Sequence, residues 1–198
     1  MFENLRNNIL NRSINQFIAG KNGSKMPDLE KLTSAIVILE DLDKQTVRTI
    51  EDRFKAVFGT SRIRFIIITE NTSDDVLLSD QYCEVTTKDF GVIKVLKSEK
   101  QEEIRKLPMT QLLVNMAKSH LDISDYLATL PHANFRVSFT KGEHFKLYDL
   151  IIDSGNNSNT IRDIEALYNY LKVLSGDSKP INRLRTPTPN SQLLTPNF

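Results

Sequence analysis

Apolar and polar positions along this chain follow two rhythms, and the switches between them mark its elements. Phe2, Leu5, Ile9, Leu10, Ile14, Phe17 and Ile18 recur at helical spacing, predicting an amphipathic N-terminal helix with an Asn/Arg outer face that ends at Gly20. Gly20-Lys21-Asn22-Gly23-Ser24 has linker composition, so this helix either packs at the edge of the following domain or reaches out to something else. The chain then alternates as an α/β domain does: strand Ala35 to Leu39, helix Asp43 to Phe58 closing at Gly59, strand Ile63 to Thr69, and an irregular stretch from Glu70 to Gly91. Val92 to Leu96 reads as a short strand or edge segment, Glu99 to Lys106 as a short helix, and Pro108 marks the entry to the strand Leu112 to Met116. A short helix, Leu121 to Leu130, is stopped by Pro131; strands Phe135 to Phe139 and Leu147 to Ile152 and a last amphipathic helix, Thr160 to Leu174, follow.

The apolar runs Gln111–Met116, Asn134–Phe139 and Tyr148–Asp153 are each of strand length with polar punctuation, as neighbouring strands of one largely buried sheet would be. The expected architecture is therefore a single three-layer α/β domain over residues 26–174, with a mainly parallel, Rossmann-like sheet of about five or six strands. Residues 1–25 form an N-terminal helical arm and linker, and residues 175–198 a basic, proline-containing tail. Thr186-Pro187-Thr188-Pro189 and Thr195-Pro196 favour extended chain over helix or sheet, so the tail is either disordered or laid along a surface. Ile181, Leu184, Leu193, Leu194 and Phe198 are more apolar residues than a solubility tail needs, and they favour docking on the chain itself or on a partner.

At 198 residues the chain suits one ordinary domain, and 39% hydrophobic with 26% charged residues keeps it clear of the disordered regime. A net charge of +1 points to no partner, but its distribution is uneven. The first 25 residues carry four cations against one acid and the last 24 carry three against one, which leaves the body at −4. The single cysteine, Cys83, forms no intrachain disulfide, and His120, His132 and His144 have no metal-ligand spacing, so no metal and no cofactor is expected. No signal-peptide core and no apolar run of membrane-span length is present, and the chain reads as cytoplasmic and soluble.

Candidate chemistry is sparse. Lys88-Asp89-Phe90-Gly91 carries the letters of a kinase metal-binding motif without a Gly-rich loop or a His-Arg-Asp, so the reading is a turn. In that turn Gly91 takes positive φ, Phe90 packs beneath and Asp89 bonds the backbone. The first strand would end in Glu40-Asp41-Leu42-Asp43 rather than glycine; Asp43 suits the N-cap of the next helix, and a divalent cation on Glu40, Asp41 and Asp43 is the alternative. An open α/β sheet binds ligands beyond its strand C-termini, which makes Glu40, Glu70, Asn115 and Asp153 the positions where a small ligand would sit. Asp122 or Ser124 reads as a cap, Asp125 as a first-turn acid and His120 as an exposed loop residue. His132 and His144 fall in turns with no visible partner, and Cys83 lies in a polar stretch without a nearby His. Arg62 and Arg64 alternate with Ile63 and Phe65, placing both guanidiniums on one strand face, where phosphate or RNA would be the ligand.

The chain resembles an uncharacterised Bacteroidota family of small cytoplasmic α/β proteins, a domain of unknown function, over roughly Ala35 to Leu174. The resemblance is carried by Lys88-Asp89-Phe90-Gly91, Leu112-Leu113-Val114-Asn115, Tyr126-Leu127-Ala128 through Ala133-Asn134-Phe135-Arg136-Val137, and Tyr148-Asp149-Leu150-Ile151-Ile152. Where the family often has an acid before the middle strand and a glycine after the Arg-Val pair, this chain has Gln111 and Ser138. A fainter similarity, at the level of fold, is to the N-terminal half of heptosyltransferase-like glycosyltransferases.

Together these readings predict a non-enzymatic accessory protein. Its basic ends (Arg6, Arg12, Lys21, Lys25, Arg183 and Arg185) with Arg62 and Arg64 would engage a larger protein or ribonucleoprotein assembly such as the ribosome. RNA phosphate is a contact of that surface; no membrane and no DNA specificity are expected. The alternative is a small-molecule binder or enzyme for a nucleotide or sugar, using the strand ends at Glu40, Asn115 and Asp153.

Overall fold

The computed structural model describes residues 2–21, 23–60, 62–69, 81–92, 95–119, 121–153 and 159–176. Six strands, β1 (Ser34–Glu40), β2 (Arg62–Thr69), β3 (Tyr82–Thr86), β4 (Thr110–Asn115), β5 (Ala133–Ser138) and β6 (Leu150–Ile151), form one sheet in the order β3-β2-β1-β4-β5-β6. All five pairings are parallel. Five helices accompany it: α1 (Phe2–Gly20), α2 (Lys44–Phe58), α3 (Ser98–Arg105), α4 (Leu121–Thr129) and α5 (Thr160–Leu174). The mainly parallel α/β expectation is met, and the strand order reverses direction between β1 and β4.

Parallel strands are buried on both faces, which explains why β1 is buried continuously from Ala35 to Leu39 instead of alternating. Ala35, Val37 and Leu39 meet one layer together with Ile63, Phe65, Leu112 and Val114; that layer contains Val47, Ile50, Phe54 and Phe58 of α2 and Ile164, Leu167 and Leu171 of α5. Ile36, Ile38, Ile66 and Leu113 meet the opposite layer, which holds Leu10 and Ile14 of α1, Ile104 of α3 and Tyr126 and Leu127 of α4. The 3-4 spacing of these helical residues is the sequence cause of the layering.

Helix α2 starts and stops on local chemistry. The Asp43 carboxylate accepts the Thr46 N–H at 2.9 Å, satisfying an orphan donor of the first turn. At the other end Gly59 adopts φ 65°, and its N–H donates to the Lys55 carbonyl. Of the two alternatives for α1, the structure shows packing on its own domain: Leu10 and Ile14 are fully buried in the second layer. Lys21 at its end pairs with Asp149 and also donates to the Leu147 carbonyl at 3.0 Å.

Three expectations need correction. The stretch assigned as irregular contains β3, whose Tyr82-Cys83-Glu84-Val85-Thr86 alternates between half-buried and buried because it is an edge strand paired only to β2. The last strand shrinks to Leu150–Ile151, since Phe145–Leu147 curls into a 3-10 turn. Gly91 is not among the positive-φ glycines, although Asp89 accepts the Thr86 N–H at 2.7 Å and Phe90 packs on the second layer, as the turn reading requires. Gln111 and Ser138, the two departures from the resembled family, have local roles: the Gln111 side-chain oxygen accepts the Thr33 N–H at 2.7 Å, and the Ser138 hydroxyl donates to the Thr140 carbonyl at 3.0 Å.

Arg136 ties β5, α4 and α1 together on the second face. Its guanidinium donates to the carbonyls of Ala128 at 3.1 Å, Ala133 at 2.9 Å and Pro131 at 3.0 Å, and lies 4.6 Å from the Phe17 ring centre. Burial pulls it below its ordinary proton affinity, while the Asp149 carboxylate works the other way. The rigid fork reaches three carbonyls spread from the last turn of α4 to the start of β5, which a single ammonium cannot span. Arg136→Lys should therefore lower stability by about 2 kcal/mol, read as a fall in the urea midpoint, whereas Arg12→Lys on the exposed face of α1 leaves it in place. An unchanged midpoint in the first variant would show that the three bonds carry no net stability.

Candidate functional site

The reversal of strand order puts the natural ligand crevice of this fold at the C-terminal ends of β1 and β4. Glu40 closes β1 there. One oxygen of its carboxylate accepts the main-chain N–H of Lys118 at 2.5 Å and of Ser119 at 2.7 Å, in the loop that follows β4. The Lys118 ammonium in turn reaches the buried Asp163 carboxylate, in the first turn of α5, at 3.5 Å. Next to Glu40, Asp41 holds φ 47°, a left-handed conformation that a non-glycine side chain rarely adopts, and its N–H donates to the Ile68 carbonyl at 2.9 Å. Phosphate-binding folds place glycine near here so that the backbone can approach an anion. In this chain the backbone donors that would face such an anion are taken by a carboxylate of the protein itself.

The acidic run after β1 accordingly divides its duties, with Glu40 on the 118–119 amides and Asp43 on the start of α2. Among the described residues no group of three or more His, Cys, Asp or Glu is placed to hold a metal ion.

Asn115, at the end of β4, points into the second layer. Its amide donates to the Ser124 hydroxyl at 3.1 Å and the Tyr148 oxygen at 2.6 Å, and its carbonyl accepts the Ala117 N–H at 3.1 Å. Tyr148 donates to Asp125 at 2.6 Å. All four side chains are buried. Burial pushes the Asp125 carboxyl above its ordinary value, against the pull of the Tyr148 hydrogen bond and of His144. It also pushes the Tyr148 phenol far up, so the phenol stays protonated and acts as the donor. Asp125 thus does more than sit in a favourable first turn: it is buried together with Ser124 and Ala128 on the inward side of α4. Nor is His144 a lone loop residue. It is buried, and its Nε2 lies 2.9 Å from the Asn11 side-chain oxygen on α1.

Asp153 is exposed just beyond β6, two strands away from β4. Of the cations, Arg6 faces Asp122 at 4.0 Å and Lys21 pairs with Asp149, while Arg12, Lys25 and Arg62 are exposed and Arg64 is half-buried. Arg62 and Arg64 share the face of Ile66 and Ile68, as their alternation requires. Cys83 sits buried in β3, where burial takes its thiol up to about 12. Glu70, His120, Arg183, Arg185 and the tail from residue 177 lie outside the described residues. Sequence reasoning missed Lys118 and Asp163 altogether and gave Asp125 and Tyr148 no shared role; of that pair, only Asp125 carried a signal, its helical phase.

A hollow of about 430 Å³ separates the starts of α2 and α5, lined by Thr46, Thr49, Ile50, Asn159, Thr160 and Ile161. No helix among the described residues is long and apolar enough to cross a membrane.

The raised Asp125 carboxyl fixes the sign of a pH effect. The native state holds this proton more tightly than the unfolded chain, so the group's contribution to stability falls as pH rises from the ordinary carboxylate value through the raised one. Asp125→Asn keeps an acceptor for Tyr148 and has no proton to lose. Its thermal midpoint, relative to wild type, should rise as the pH is raised above the ordinary carboxylate value; a difference that stays flat with pH would mean that Asp125 is a carboxylate in the fold at no cost.

The chain belongs to a family of unknown function, DUF6913, which matches residues 6–174 and so takes in most of α1 and all six strands. No curated protein and no solved structure matches it.

Proposed function

We propose that this member of the family is a non-enzymatic accessory protein whose exposed cations engage a larger assembly, either a ribonucleoprotein such as the ribosome or a protein complex. The observation that carries this reading is the Glu40 carboxylate on the Lys118 and Ser119 amides. Two converging N–H groups beside an ammonium would attract phosphate; with a carboxylate bound to both, they are satisfied and the local charge repels it. The small-molecule alternative, a nucleotide or sugar at the strand ends, loses its anchor by the same argument. Arg12, Lys25 and Arg62 face solvent, and the sequence adds Arg183 and Arg185, so contacts to acidic protein or RNA phosphate are available to them. The resemblance drawn from the sequence supports a cytoplasmic setting and a Bacteroidota source.

Removing residues 1–25 is not a usable test, because Leu10 and Ile14 belong to the core. The tagged full-length protein should instead be purified from the cells that make it beside an Arg12→Glu, Lys25→Glu, Arg62→Glu variant, with RNA and protein both identified. A stoichiometric companion, released by salt and absent from the variant while its thermal midpoint is kept, is the expected result. Wild type that is recovered alone and binds a nucleotide in calorimetry would overturn the proposal in favour of the small-molecule reading.

A further inference from the structure

The strands of a parallel sheet all begin along one edge, which here is the edge opposite the crevice. The pairings Ser34 with Arg62, Ala35 with Leu112 and Thr110 with Ala133 put Arg62, Ser34, Gln111 and Asn134 in one row across β2, β1, β4 and β5. With neighbouring strands about 4.8 Å apart, the row is about 14 Å long.

Cations stand along this row. Arg62 is exposed at its β2 end, with Arg64 half-buried on the same side of the strand. At the β5 end the Lys25 N–H donates to the Asn134 carbonyl at 3.2 Å, which fixes the exposed Lys25 at the start of that strand. Lys106 is exposed at the end of α3, just ahead of Thr110 where β4 begins. Because α3 lies in the second layer, the side to which Arg62 and Arg64 point, Lys106 enters the edge from the same side as they do.

Most acids near the row are already paired. Asp28 bonds Lys31 at 3.1 Å, Glu102 bonds Arg105 at 2.9 Å and Glu103 bonds Lys100 at 2.8 Å. Setting those pairs aside leaves Lys25, Arg62, Arg64 and Lys106 against the exposed Glu30, and none of the four cations has an ion pair among the described residues. In a chain whose net charge is only +1, that excess is a property of this edge. Lys106 also complements the negative end of α3, but Arg62 and Lys25 lie in no helix, so helix dipoles do not account for the row. Arg12, exposed in the middle of α1, belongs to a different face.

Resting on the accessory reading and narrowing it, we propose that the strand-start edge from Arg62 to Lys25 is a site for the phosphate backbone of RNA. One nucleic-acid strand carries a charge about every 3.4 Å of its axis, so the row matches about four phosphates. Its cations follow a line instead of ringing an apolar centre, as charges at a protein interface do. Arg62, Arg64, Lys25 and Lys106 have no aromatic side chain among them or in the row they flank, so the contact is to phosphate and is independent of base sequence.

Fluorescence anisotropy of the purified full-length protein with a labelled single-stranded RNA of mixed sequence tests the site. Four phosphate contacts should make binding about 50-fold weaker at ~200 mM than at ~50 mM KCl. Arg62→Glu/Lys106→Glu should lose at least about tenfold in affinity at the lower salt and flatten the salt dependence, while Arg12→Glu binds as wild type does. Both substituted residues are exposed, and Arg62→Gln/Lys106→Gln, which adds no negative charge, should show a smaller loss in the same direction. Absence of RNA binding by wild type would overturn the proposal, as would an equal loss in Arg12→Glu. Displacement of the RNA by polyglutamate as readily as by unlabelled RNA would also overturn it and give the edge to an acidic protein. No RNA binding beside a companion protein still recovered from cells would end this proposal and leave the accessory reading standing; RNA binding with no companion recovered would do the reverse.

Discussion

A parallel sheet whose strands are apolar on both sides has two surfaces that must be kept from water, and the position of every helix here answers that requirement. Helices α2 and α5 cover one surface, while α1, α3 and α4 share the other. Without α1, Ile36, Ile38 and Leu113 would lose part of their cover, and burying each such side chain is worth roughly 1.5–3 kcal/mol. The N-terminal helix, which composition marks as an arm, is in this sense a wall of the molecule. Arg136 stacked on Phe17 and Lys21 paired with Asp149 hold it from the polar side.

The two largest sets of polar groups that the fold buries serve the fold itself. Asn115, Ser124, Asp125 and Tyr148 satisfy one another, and Arg136 satisfies three carbonyls. The same economy extends to the crevice between β1 and β4, where Glu40 occupies main-chain donors that related topologies offer to ligands. A strand order shared with nucleotide-binding folds therefore comes with a different chemistry at the site, and fold alone carries no activity across.

Elements whose apolar period is strong were legible in the sequence. The final helix has the bounds its stripe predicts, α2 begins after its Asp43 cap and ends at Phe58 before Gly59, and β1, β2, β4 and β5 fall where the sequence reading places apolar strand segments. Harder cases were those decided by neighbours distant in sequence. Tyr82–Thr86 becomes a strand only because β2 offers it an edge, and the short β6 is limited by the 3-10 turn before it. Polar residues were the least legible, since Asp125 and His144 look like surface letters until the Tyr148 hydroxyl and the Asn11 amide are found facing them. Lys118 and Asp163 are 45 residues apart in the chain, and nothing local pairs them.

The placement of β4 beside β1 also has a consequence for how the protein is made. As the chain emerges from N- to C-terminus, β1 can pair with β2 early, but its other edge stays open until Thr110–Asn115 has been synthesised. During that interval the strand Ser34–Glu40, buried continuously from Ala35 to Leu39 in the finished fold, is a half-finished edge next to an N-terminal helix whose seat is completed only by α4 and β5. Nascent chains stalled between β3 and β4 are thus the form of this protein most exposed to chaperone capture or to pairing with a neighbour.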